Sequence, residues 1–212
     1  MICIFNKLLH GRRYFSRAEK RKTQCLVADQ SGLAALEFAL MLPLVMVLFL
    51  GMVEMVTALS HDRRVSKTAF SVADLVARST DVSSSMGDIE IAIAHQMKPF
   101  DANGVGVRVG MVRIVKDTPE VIWSWSNPYS SPWTKGNEPT GIPFSQGMLV
   151  NGQTYVVTEA SLEHSLILGD AFDNIAQLVT SSDKTLAAIT LRDTFILHPR
   201  KVSCVEYKDS CT

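Results

Sequence analysis

Two residue patterns in this chain could do chemistry, and neither is a catalytic constellation. The first is Gly32, four residues, then Glu37 and Phe38, a carboxylate at the mouth of an apolar run that meets no further charge until Glu54. A carboxylate at a membrane boundary is costly unless neutralised or paired, so Glu37 either marks the interface or serves a cationic partner. Gly32 by itself reads as a flexible residue before a helix. The second pattern is Cys204 and Cys211, close in sequence near the carboxyl terminus, a spacing that favours a small disulfide loop in an oxidising compartment. Neither that pair nor Cys3 and Cys25 has the Cys-x-x-Cys or His spacing of a zinc site, so no metal is expected.

No enzyme is expected either. His10, His61, His95, His164 and His198 are dispersed along the chain. Gly-x-Ser-x-Gly, His-Glu-x-x-His and Walker-type phosphate loops are all absent, and nothing calls for a cofactor. Trp123, Trp125, Tyr129 and Trp133 cluster across a strand pattern and a Pro-rich stretch. An exposed group of this kind could bind a sugar or a partner protein, but core packing is the first expectation for one face of Trp123 and Trp125.

These residues need elements to position them, and the main one is the apolar run itself. Its uncharged part, Phe38 to Val53, has 16 residues, short for a span and long for a signal-peptide core. With its small and apolar flanks, Leu33 to Leu59, a helix would reach about 40 Å and span a bilayer, with Glu37 and Glu54 near the two interfaces. Pro43 lies inside this run and predicts a helix kink, which neighbouring helices in a membrane can tolerate.

The formal net charge of zero hides an asymmetry. Up to Leu36 there are seven Lys or Arg against Glu19 and Asp29, a balance of +5, so the rest of the chain carries −5. A basic flank of this kind stays cytoplasmic and outweighs Arg63, Arg64 and Lys67, which places the amino terminus inside and residues from about His61 outside. The same arm could bind nucleic acid or anionic lipid, but a topology signal explains it, and no nucleic-acid partner is expected.

Ser31-Gly32-Leu33-Ala34-Ala35-Leu36-Glu37-Phe38 resembles the processing signature of type IVb prepilins. Glu37-Phe38-Ala39-Leu40-Met41-Leu42-Pro43 is similar to the opening of the TadE-like pilus-assembly family of tight-adherence systems. The resemblance implies cleavage after Gly32 by a prepilin peptidase, with Leu33 as the new amino terminus. Glu37 would then pair with the α-ammonium of a neighbouring subunit and set axial register. It also implies a minor pseudopilin or assembly component in the bacterial inner membrane, single-pass, with its carboxyl-terminal domain periplasmic. Its partners would be the major pilin, other pseudopilins, the inner-membrane platform, the prepilin peptidase and the lipid bilayer. Two later stretches, Gly152 to Val157 and Phe195 to Arg200, look like late segments of the same family, whose Arg-Pro-Arg ending appears here as His198-Pro199-Arg200.

The helix is expected to run past the membrane, because Val53, Val56, Leu59, Val65, Ala69, Val72, Ala73 and Val76 recur at mostly three- and four-residue spacing and predict an amphipathic outer stem. Ser79 to Ser85 reads as a linker and hinge. Ser85 is placed to cap a second helix, with Asp88 three residues on and Ile89, Ile93 and Met97 as its buried stripe, ended by Pro99. The period then becomes two. Val105 to Ile114 predicts a strand bulged near Gly110, Val121, Trp123 and Trp125 share one face of a second, Gln153 to Ala160 form a third, and Thr185 to Leu197 contain a fourth. Asn127 to Asn151 is a long Pro-bearing loop, and Asp170 to Val179 is a short helix or a connection.

The expected class is therefore α+β, a long transmembrane and stem helix followed by a small antiparallel sheet with one or two helices. The expected organisation is a basic leader at 1–32, a membrane helix at 33–60, a stem at 61–80 and an outer domain at 81–212. One alternative is an uncleaved anchor whose outer domain binds a partner or surface. Another is a secreted protein cut near Ala58-Leu59-Ser60. A mature chain starting at Leu33, Met1 or His61 separates the three.

Overall fold

The computed structural model describes residues 32–166, 169 and 188–211. The basic leader with Cys3 and Cys25, the Asp170 to Val179 stretch and the start of the fourth strand pattern lie outside the described residues. The chain divides into two compact units, Met1–Leu50 and Gly51–Thr212. One helix, α1 (Leu33–Arg78), contributes to both and is the long apolar helix anticipated. In the second unit follow α2 (Met86–Met97), β1 (Gly106–Val115), β2 (Thr118–Ser126), β3 (Thr154–Ser165) and β4 (Ala188–Leu197). The strands make one antiparallel sheet in the order β2-β1-β3-β4, so the class is α+β.

Each face of the sheet has its own cover. On one face, α1 buries Val65, Ala69, Val72 and Val76, and α2 adds Met86, Ile89, Ile93 and Met97. They pack on Val107, Val109 and Met111 of β1 and on Val156 and Ala160 of β3. The alanines in the α1 stripe allow the helix backbone to lie close to the sheet, while the valines fill the remaining volume. On the opposite face, Val112, Ile114, Val121, Tyr155 and Val157 pack beneath Trp133 and Ile142 of the 127–151 connection. That Pro-bearing stretch holds only a three-residue 3₁₀ turn at Gln146–Met148, yet it supplies the second apolar layer.

Strict alternation predicts that Val121, Trp123 and Trp125 share a face; the structure separates them. The register steps from Met111↔Trp123 to Val112↔Val121, which leaves Ile122 as the extra residue of a bulge. Trp123 therefore packs with the helices and Val121 with the loop. The irregularity expected near Gly110 thus has its extra residue on the partner strand. Gly110 is needed for a different reason: a Cβ there would lie 2.7 Å from the Trp123 carbonyl oxygen and 3.3 Å from Trp133 Cε3. Gly110→Ala should cost about 1–3 kcal/mol, because backbone cannot yield as a side chain does. Chemical denaturation followed by tryptophan fluorescence measures it, and an unchanged midpoint would contradict the close approach.

The β1–β2 hairpin turns through Lys116 and Asp117, both with positive φ (50° and 62°), the backbone of a type I′ turn built without glycine. On the far edge of β2, Val121 exchanges backbone hydrogen bonds with the loop, donating to the Asn137 carbonyl and accepting from the Gly136 N–H. That covers part of an otherwise open strand edge.

The hinge expected at Ser79 is instead tied down. Val82 is buried and donates its N–H to the Glu206 carbonyl, and the Glu206 N–H donates to Thr80. The Lys208 N–H donates to Ser83 Oγ. Further along, the Arg200 N–H donates to the Ala77 carbonyl, and its guanidinium lies 2.9 Å from Asp74, which also pairs with Arg78. Residues 199–211 therefore strap the end of α1 and the 79–85 connection to the domain. Ser85 occupies the N-cap of α2, but its side chain makes no capping bond, so the expected capping box is not formed.

Candidate functional site

Gly32 immediately precedes α1, Leu33 is its first residue, and Glu37 follows one turn later. Gly32 and Leu33 are exposed, and a Cβ built on Gly32 would meet nothing within 4 Å. The amides of Leu33 to Leu36 have no intrahelical acceptor, so this end carries partial positive charge. The first turn contains no acid, however, because Glu37 lies just past it. Any helix-dipole benefit for Glu37 is correspondingly small, since it fades within one turn. What remains is an exposed carboxylate beside Phe38, itself 66% exposed.

From Leu36 to Leu50 the large apolar side chains are exposed around the whole helix rather than along one stripe. A helix apolar on all sides needs lipid or other helices around it. α1 is long and apolar enough to cross a membrane. Pro43 lies inside it, where the ring nitrogen cannot donate to the Ala39 carbonyl, leaving that acceptor for a neighbour.

The apolar run ends at a polar cluster within the second unit. Glu54 is buried, 8% exposed, with Oε1 3.5 Å from Nε2 of His164 near the end of β3. The His164 ring lies against that of His61 of α1 with centroids 4.8 Å apart, and His61 lies against Phe100 at 3.9 Å, both pairs tilted by 39°. Nδ1 of His61 lies 3.1 Å from the Thr57 carbonyl oxygen, which can only accept, so the ring carries its proton on Nδ1. Burial, then the neighbouring His164 and Arg64, hold the His61 pKa below its usual value. Glu54 is therefore an inward-facing helix residue and not merely an interface marker. Dispersed sequence positions gave no sign that His61 and His164 meet.

A second buried charge cluster lies on the loop-covered face. Glu159 accepts from Arg108 at 2.9 Å and has Arg192 Nε at 3.7 Å. Arg108 also donates to the Thr140 carbonyl and stacks 4.5 Å over the Trp133 ring. Arg108 and Glu159 each stand among the apolar residues of the buried part of their strands, and the register pairs them directly.

Of the aromatic group, Trp123 and Trp133 are buried, and Trp123 Nε1 donates to the Val205 carbonyl. Only Tyr129 is largely exposed, so the four do not form a shared binding surface. Cys204 and Cys211 are joined as a disulfide with an S–S distance of 2.11 Å. Between them Val205 is fully buried, so the small loop holds a core residue in place. Among the described residues no three His, Cys, Asp or Glu side chains are grouped to hold a metal ion.

Residues 32–74 match the family model described as TadE-like protein. The match begins at Gly32, includes Glu37, Phe38 and Pro43, and ends at Asp74 within α1. It covers roughly a fifth of the chain, and the similarities at Gly152 to Val157 and Phe195 to Arg200 fall outside it. No curated protein and no solved structure matches the chain. The TadE-like pilus-assembly family is a structural, non-enzymatic kind of protein.

Proposed function

We propose that this chain, whose residues 32–74 carry the TadE-like signature, is a minor pseudopilin or assembly component of a tight-adherence pilus. The observation that carries the reading is a glycine immediately before a helix whose first part is apolar on every side, with a carboxylate one turn inside it. A prepilin peptidase cuts after Gly32, and Leu33 becomes the amino terminus. The new α-ammonium then supplies the positive charge that a carboxylate at a bilayer boundary requires.

Glu37 of one subunit pairs with that ammonium on the next and fixes how far neighbouring helices slide along each other. Phe38 and the surrounding apolar side chains pack laterally against the major pilin and other pseudopilins. Pro43 leaves the Ala39 carbonyl for a neighbouring group, and its kink sets the local direction of the helix. The basic leader holds the amino terminus in the cytoplasm, so the sheet domain lies in the periplasm as a cap, adaptor or spacer. The inner-membrane platform is the remaining partner. A chain of 212 residues with a four-stranded domain is poorly suited to be the major pilin, which in these systems is very small and nearly all helical.

Gly32→Leu tests processing directly. Co-expression with the peptidase should shorten the natural chain by its leader and leave the variant at full length, read as two bands on an immunoblot. If both migrate identically with and without the peptidase, cleavage after Gly32 is wrong.

A further inference from the structure

We propose that His61 and His164 form an acid-released latch that fastens the Thr57 to Arg64 turn of α1 to the end of β3. The inference is independent of pilus assembly and rests on how these residues sit in the second unit. His61 is pinned to its own helix through Nδ1 and the Thr57 carbonyl, so its remaining nitrogen, Nε2, is the one that gains a proton. The ring lies between Phe100 and His164, close enough that a second positive charge is poorly screened.

The surrounding groups make the response one-sided. From α1, Arg64 adds fixed positive charge near His61, while its guanidinium lies over Phe100 and donates to the Gln96 carbonyl. From β3, His164 faces His61, and Glu54 of α1 faces His164 at 3.5 Å. Phe100, after α2, brings only a ring, and the β4 residue in register with His164 is Ile189, which carries no charge. Among the described residues the Glu54 carboxylate thus faces His164, while His61 has His164 on one side and the fixed charge of Arg64 near it.

Because the folded state holds the His61 pKa below the unfolded value near 6.5, the native protein binds fewer protons than the unfolded chain. The contact is fully present above about pH 6.5 and is lost as pH falls through the lowered value. Acid therefore loosens the end of β3 and the α1 turn first, while the centre of the sheet, which carries no such pair, stays closed.

The test uses the full chain in lipid nanodiscs with isotope-labelled histidine. Titration should place His61 below about 6.5, and lowering the pH from about 7.5 to about 5.5 should speed amide exchange at 57–64 and 161–165. After correction for intrinsic rates, those segments should gain about tenfold over residues 107–111. His61→Phe, which keeps the ring and removes the proton site, should abolish that difference. A His61 that titrates at or above about 6.5, equal acceleration of both regions, or an undiminished response in His61→Phe would each overturn the latch. The titration is made on the natural sequence, so it decides the matter even if the variant does not fold.

Discussion

Glu37→Ala should abolish pilus assembly while leaving membrane insertion intact. Removing the carboxylate makes the helix more apolar, so insertion has no reason to fail. Assembly loses the partner of the new α-ammonium and leaves that cation without compensation at the bilayer boundary. Breaking a desolvated pair by removing one member costs about 3–5 kcal/mol, a hundredfold or more in the population of correctly docked subunits. The assay pairs the protein level in the membrane fraction with pili sheared from the cell surface. Wild-type pili from this variant would leave Glu37 as an interface marker.

Glu159→Ala should be the most damaging single change in the sheet domain, at about 3–5 kcal/mol. The Glu159 side chain is 4% exposed and faces two guanidiniums, of which Arg108 lies largely buried beneath the 127–151 connection. Without the carboxylate, Arg108 stays buried with only the Thr140 carbonyl and the Trp133 face as partners. The paired change Arg108→Leu with Glu159→Leu should recover much of the loss, since an apolar pair can replace a buried ion pair at little cost. Thermal unfolding of the single and double variants measures the difference. Equal destabilisation of both would show that packing volume, not charge, governs this site.

Local patterns made much of the architecture readable. Of the stripe at helical spacing, the structure buries Val65, Ala69, Val72 and Val76 on the sheet, while its first members Val53, Val56 and Leu59 are exposed. β1, β2, β3 and β4 all lie where alternation or Ile and Thr content placed strands, with boundaries shifted by a few residues. Ile122 was hidden because it completes a perfect alternation between Val121 and Trp123; only pairing with β1 reveals it as the bulged residue. The strap from Arg200 to Cys211 was hidden for a related reason. Its bonds to Ala77, Thr80 and Val82 join segments more than a hundred residues apart, and such pairing leaves no periodic trace.

The candidate sites divide in the same way. Gly32, Glu37 and Phe38 stand close together in sequence, where a spacing can be read, and the TadE-like match begins at that glycine; their roles in processing and assembly are part of the proposal. His61 and His164 carry no such spacing and meet only because β3 ends beside α1. Glu54 looked like a second interface residue by distance along the helix, yet it turns inward toward His164.

The pairing proposed for Glu37 depends on a proteolytic cut at the start of α1. Amino-terminal sequencing of the protein recovered from piliated cells tests this most directly. Leu33 at the first cycle, with Glu37 at the fifth, is the predicted result. A chain that retains Met1 in cells producing normal pili would contradict it.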